Sequence, residues 1–75
     1  MAMTRIEVAD AQVILFEGVC AYVVKTRECY EIIVHSTNYV NHRAAGVTDS
    51  GDRAESICNR LNAYPHQTRK AFGLL

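Results

Sequence analysis

With a single proline, four glycines and no extended Ser, Gly or Pro tract, this 75-residue chain has few of the residues that keep a polypeptide unfolded, and 49% of it is apolar. That composition excludes a disordered linker and predicts a chain folded throughout apart from its ends. Net charge is missing too, since eight Lys and Arg balance eight Asp and Glu. No overall field therefore marks nucleic acid, a membrane surface or an acidic substrate as the partner. No apolar run approaches the roughly 18 residues of a membrane-spanning helix, and the N-terminus lacks the basic flank and apolar segment of a secretory signal. Cysteine is scarce and odd in number: Cys20, Cys29 and Cys58 show no C-x-x-C spacing. This argues against a secreted disulfide framework and for reduced thiols. The expectation is a soluble cytoplasmic protein. Met1-Ala2 ahead of Met3 reads as an added start and is set aside from the fold.

The length allows one domain, residues 1–75, with a small core, because a chain of this size buries only about 60% of the surface it exposes when unfolded. Thr48-Asp49-Ser50-Gly51-Asp52 is a capping cluster, and behind it apolar residues fall at Ala54, Ile57, Cys58 and Leu61. That spacing predicts one amphipathic helix over about 50–62, capped by Asp49 or Ser50 and ended before Pro65. Pro65 can open a short final helical turn to Phe72, with Gly73 as its stop.

Upstream, β-branched and aromatic runs predict strands. Arg5–Val8 alternates with period two, 12–17 reads as strand or buried helical turn with its β-branched content favouring strand, and Val19–Val24 pairs with Cys29–His35 across the loop 25–28. A less regular edge strand is expected within 39–47. The fold class is therefore α+β: a small antiparallel sheet of three or four strands, one helix packed on it, and a short C-terminal helical turn.

In the central hairpin both sides of the sheet are apolar. In its first strand Val19, Ala21 and Val23 share one side and Cys20, Tyr22 and Val24 the other; in its partner Tyr30, Ile32 and Val34 share one side and Cys29, Glu31, Ile33 and His35 the other. One helix of about 13 residues is roughly 20 Å long and covers one side only. The second side then needs cover from the final segment with Phe72, Leu74 and Leu75, from another copy, or from a different protein.

No catalytic signature stands out. There is no G-x-S-x-G elbow, P-loop, G-x-G-x-x-G turn or H-E-x-x-H pair. The ligand-type residues Cys29, His35, His42 and Cys58 are too irregularly spaced for a structural zinc site. Cys58 sits on the apolar helix stripe, so it reads as a core thiol. No enzyme, cofactor or metal is expected.

The remaining role is binding. The chain is expected to be a small interaction or regulatory module, a homo-oligomer or a binder of a partner protein, that uses its sheet surface or a strand edge. Tyr22, Tyr30, Tyr39 and Arg60 are the contact candidates, since aromatic residues and arginine carry most interface energy. This format is compatible with inhibitors encoded by phages or mobile elements, anti-CRISPR blockers among them. The alternative is a nucleic-acid-binding accessory protein. It would use Arg53, Arg60, Arg69 and Lys70, with Asn59 and Asn62 beside them and exposed tyrosines stacking on bases. Residues 36–75 carry five basic and three acidic groups against three and five in residues 1–35, a weak asymmetry for a phosphate-tracking surface.

Overall fold

The computed structural model describes residues 13–75. Four strands run in sequence, β1 (Val13–Glu17), β2 (Ala21–Lys25), β3 (Tyr30–His35) and β4 (His42–Thr48), followed by α1 (Gly51–Ala63) and α2 (Pro65–Ala71). The sheet is an antiparallel meander in the order β1-β2-β3-β4. The strand expected at 5–8 lies outside the described residues.

The central hairpin pairs Ala21 with Val34, Val23 with Ile32 and Lys25 with Tyr30. Its strands begin later than the apolar run suggests, because Val19 and Cys20 form a bend in which Gly18 N donates to Ala21 O at 2.9 Å. At the other end Thr26 closes the turn through Cys29, with Thr26 N donating to Cys29 O at 2.9 Å and Cys29 N donating to Thr26 Oγ1 at 3.1 Å. Both outer strands are bulged. β1 has one extra residue at Leu15, and β4 has one at Ala45.

Helix α1 starts where the capping cluster predicts, and Ser50 is the cap: its Oγ accepts from Arg53 N at 3.2 Å. Ser50 N in turn donates to Thr48 Oγ1 at 3.2 Å, so strand end and helix start are tied together. Pro65 opens α2, which runs two turns rather than one. Gly73 ends it in the left-handed region at φ 71, where glycine has no Cβ penalty.

The core lies between α1 and one side of the sheet. Ala21, Val23, Ile32 and Val34 from the sheet meet Ala54 and Cys58 from α1, all of them buried, with Ile57 and Leu61 packed beside them. Leu74 is buried in the same cluster and Phe72 packs against it. The C-terminal segment therefore extends the helical layer. It does not cross to the other side of the sheet, which removes one of the three covers the sequence allows.

Candidate functional site

The register assigns the opposite side of the sheet. Ile14, Glu17, Tyr22, Val24, Glu31, Ile33, His35, His42, Ala44 and Val47 alternate with the core residues and so share that face. Val24 and His35 are buried there, Tyr22 and Ile33 are half-buried, and Glu17, His42 and Val47 are exposed. No Lys or Arg falls on this face among the described strand residues.

Its most organised part is an aromatic cluster at the β3–β4 end. His35 faces His42 across the strands. Tyr39 stacks on His35 with ring centroids 4.2 Å apart and planes 21° from parallel. Tyr22 tilts against His35 with ring centroids 6.0 Å apart and meets His42 edge-on at 6.2 Å. Tyr22 Oη also lies 3.3 Å from His42 Nδ1. His35 is 2% exposed, and its Nδ1 lies 2.9 Å from Ser36 O. A carbonyl only accepts, so Nδ1 carries the proton and donates. The Tyr22 hydroxyl is pushed above its ordinary pKa, first by burial and second by the negative charge of Glu17, so it stays a phenol at neutral pH.

The loop that delivers Tyr39 is braced from within. Ser36 N donates to Asn41 O at 2.9 Å, Tyr39 N donates to Ser36 O at 3.0 Å, and Ser36 Oγ donates to Asn38 Oδ1 at 2.7 Å. Asn38 Oδ1 also accepts from Val40 N at 3.1 Å, and Ser36 Oγ from Asn41 N at 3.1 Å. Within this network Tyr39 sits at φ 63, the one positive φ among the described non-glycine residues. That conformation costs an aromatic residue about 1–2 kcal/mol. Tyr39 as a whole remains 64% exposed, and neighbouring Val40 is 68% exposed.

The contact candidates therefore divide between two surfaces. Tyr22 and Tyr39 come together on the open face. Tyr30 lies on the helix side, where its ring packs against the core and carries Lys25 Nζ 5.0 Å from its centroid. Arg60 is exposed on the last turn of α1. The sequence names His35 and His42 only as nominal metal ligands and not as contact residues; the signal available for the latter was two histidines flanking a turn, which become cross-strand neighbours once the hairpin closes.

Of the nucleic-acid candidates, Arg53, Arg60 and Lys70 are exposed. Arg69 is occupied internally, because Nε donates to His35 O at 3.0 Å and Nη2 donates to Val19 O at 2.9 Å. Asn62 is likewise turned inward, onto the backbone of Cys20 and Ala21. Two members of the expected polar patch thus hold the helices to the backbone of the sheet and its bends.

The thiols do not meet the histidines of the cluster. Cys20 and Cys58 are buried in the helix-side core, and burial raises both above the ordinary thiol pKa. They are neutral, poor nucleophiles as placed. Among the described residues, no group of three or more His, Cys, Asp or Glu side chains converges as metal ligands would. Nor is any helix among them long and apolar enough to cross a membrane. Comparison with known proteins finds no matching family model, no matching curated protein and no matching solved structure.

Proposed function

We propose that this chain is a non-enzymatic binding module that docks a partner protein on the sheet face opposite its helices, with Tyr39, Tyr22 and His42 at the centre of the contact. The observation that carries this reading is the strained, exposed Tyr39. A loop closed by five internal hydrogen bonds holds an aromatic ring in a costly backbone conformation and leaves most of its surface facing outward. Strain kept at an exposed position is typical of sites shaped for binding.

Rigid aromatic rings give large contact area with little entropy to lose, which suits them as interface anchors. Glu17 and Glu31 are the charged groups on this face, so the fitting partner presents apolar surface with a basic side chain at its rim. A chain of this kind regulates by occupying its target's site. An inhibitor of the phage or mobile-element type is one form that function takes.

The test is affinity purification from the native host with wild-type, Tyr39→Ala and Arg60→Ala baits. One protein should co-purify with wild type and with Arg60→Ala and be lost with Tyr39→Ala. Retention that ignores Tyr39, or no specific protein on any bait, refutes the assignment. Basic residues on the helix side favour nucleic acid instead only if a salt-sensitive shift of single-stranded DNA or RNA depends on Arg53 and Arg60.

A further inference from the structure

We infer that acid releases the Tyr39 contact, because protonation of His35 and His42 sets like charges opposite each other across β3 and β4 and dismantles the stack that holds Tyr39 in place. What this release regulates rests on the partner site proposed above; the release itself is a property of the chain alone.

Histidine is the side chain whose charge changes between about pH 5 and pH 8. His42 and His66 are exposed, whereas His35 is buried, at 2% exposure. The fold fixes His35 through backbone and ring together. Its N donates to Cys20 O at 2.9 Å, its O accepts from Arg69 Nε at 3.0 Å, and its Nδ1 donates to Ser36 O at 2.9 Å. The ring is the platform on which Tyr39 stacks, with centroids 4.2 Å apart. Among the described residues Nε2 has no hydrogen-bond partner. A second proton therefore enters on a buried nitrogen that meets no acceptor, where the charged form has lost its water.

The surrounding charges oppose that proton as well. His42 is the direct cross-strand partner of His35, and like charges in directly opposed positions destabilise a sheet. Each of the two already has a guanidinium at its own carbonyl, Arg69 Nε on His35 O and Arg43 Nη1 on His42 O, both at 3.0 Å. The acidic groups of this face stand apart from the pair. Glu17 of β1 lies opposite Tyr22, and Glu31 lies further back along β3, opposite Val47. The other titratable neighbours, Tyr22, Tyr39 and the Cys20 thiol, carry no charge in acid. Acid thus adds two cations to the two arginines with no carboxylate between them.

The relief is local. The loop 36–41 is closed by its own short-range hydrogen bonds and keeps Tyr39 at φ 63, so it opens more readily than the core strands. When His35 turns out to water as an imidazolium, Ser36 O loses the imidazole donor and Tyr39 loses its platform. The stacked loop therefore belongs to the neutral pair and is lost as pH falls through the histidine range.

Proton NMR of the partner-free full chain, from about pH 8 down to about pH 5, tests this. At the alkaline end the Tyr39 ring protons should carry the upfield shift of a stacked imidazole. At the acid end that shift should be lost, together with the amide dispersion of 36–41, while the methyls of Val23 and Ile32 stay unchanged. His35→Phe keeps an aromatic platform without a titrating nitrogen and should hold the Tyr39 shift throughout. His42→Gln removes one of the two charges at an exposed position; it should keep the stack to lower pH, and carries the test if His35→Phe fails to fold. Persistence of the wild-type stack at the acid end, as two tyrosine faces holding an imidazolium would give, overturns the inference. So does a transition that His42→Gln leaves unmoved, or one that spreads to Val23 and Ile32, since the whole fold and not the loop would then be the acid-sensitive element. None of these readouts involves a partner, so the partner site stands or falls separately, on the Tyr39→Ala purification.

Discussion

Asn62 and Ala21 exchange a reciprocal pair of hydrogen bonds, with Ala21 N donating to Asn62 Oδ1 at 2.8 Å and Asn62 Nδ2 donating to Ala21 O at 3.1 Å. The side-chain amide thus imitates a neighbouring strand at the start of β2. The same Oδ1 accepts from Cys20 N at 2.7 Å, so one residue at the end of α1 satisfies three backbone groups of a bend. Gly18 completes the arrangement, because a Cβ there would lie 2.0 Å from Asn62 Nδ2.

Asn62→Ala should therefore destabilise the fold by about 2–4 kcal/mol, since it orphans the partly buried N–H groups of Cys20 and Ala21, while Ala21 O keeps its bond from Gly18 N. Asn62→Asp should recover only part of this, as a carboxylate accepts but cannot donate to Ala21 O. Urea unfolding measures both, and a loss below about 0.5 kcal/mol in Asn62→Ala would show that water replaces the clamp.

Tyr39 should show stability and binding parting company. Tyr39→Gly relieves a left-handed backbone worth about 1–2 kcal/mol and gives up stacking on His35 worth about 0.5–1.5 kcal/mol. Net stability should change by less than about 1 kcal/mol in urea unfolding while partner retention is lost. A large destabilisation would mean that the ring serves the fold.

Alkaline pH should weaken the fold through groups that burial raises. Cys20, Cys58 and Tyr22 all have folded pKa values above the ordinary 9.0, 9.0 and 10.0. Above pH 9 the unfolded chain releases these protons before the folded chain does, so stability from this source is complete below that pH and falls as pH rises through the folded values. Urea midpoints should decline from about pH 9 upward, less steeply in Cys58→Ala. Native Cys20 and Cys58 should also resist iodoacetamide and react once the chain is unfolded. Rapid native alkylation of Cys58 would contradict its burial.

Arg69 joins α2 to the sheet by two hydrogen bonds to carbonyls. Arg69→Met keeps the apolar stem and removes the donors, with an expected loss of about 1–2 kcal/mol in thermal or urea unfolding, discounted because the bond to Val19 O is exposed. Arg69→Lys should rescue little, since a point charge cannot span two carbonyls. If Arg69→Met instead left stability unchanged and abolished binding to single-stranded nucleic acid, the alternative function would gain its first support.

Much of the architecture was legible along the chain. The capping cluster and the stripe at 54, 57, 58 and 61 placed α1 almost to the residue, because helix ends and amphipathic faces are local properties. The central hairpin was legible for the same reason, and Pro65 and Gly73 marked both ends of α2. Strand starts were less so: Val19 and Cys20 have strand-forming side chains, yet Asn62, some forty residues away, holds them in a bend. Candidate contacts suffered similarly. Residue type nominated four, and only the register could say that Tyr22 and Tyr39 share a surface while Tyr30 packs beneath α1.

By itself the sequence determined the α+β class, the position of both helices and the apolar character of both sides of the central hairpin, since periodicity and capping act within a few residues. Only the tertiary structure decided which side lies away from the helices, that the tail joins the helical layer, and that Asn62 and Arg69 hydrogen-bond to the backbone of the sheet and its bends. Those outcomes depend on unsatisfied backbone groups and vacant core volume that exist only after distant segments have met, and no short stretch of chain encodes them.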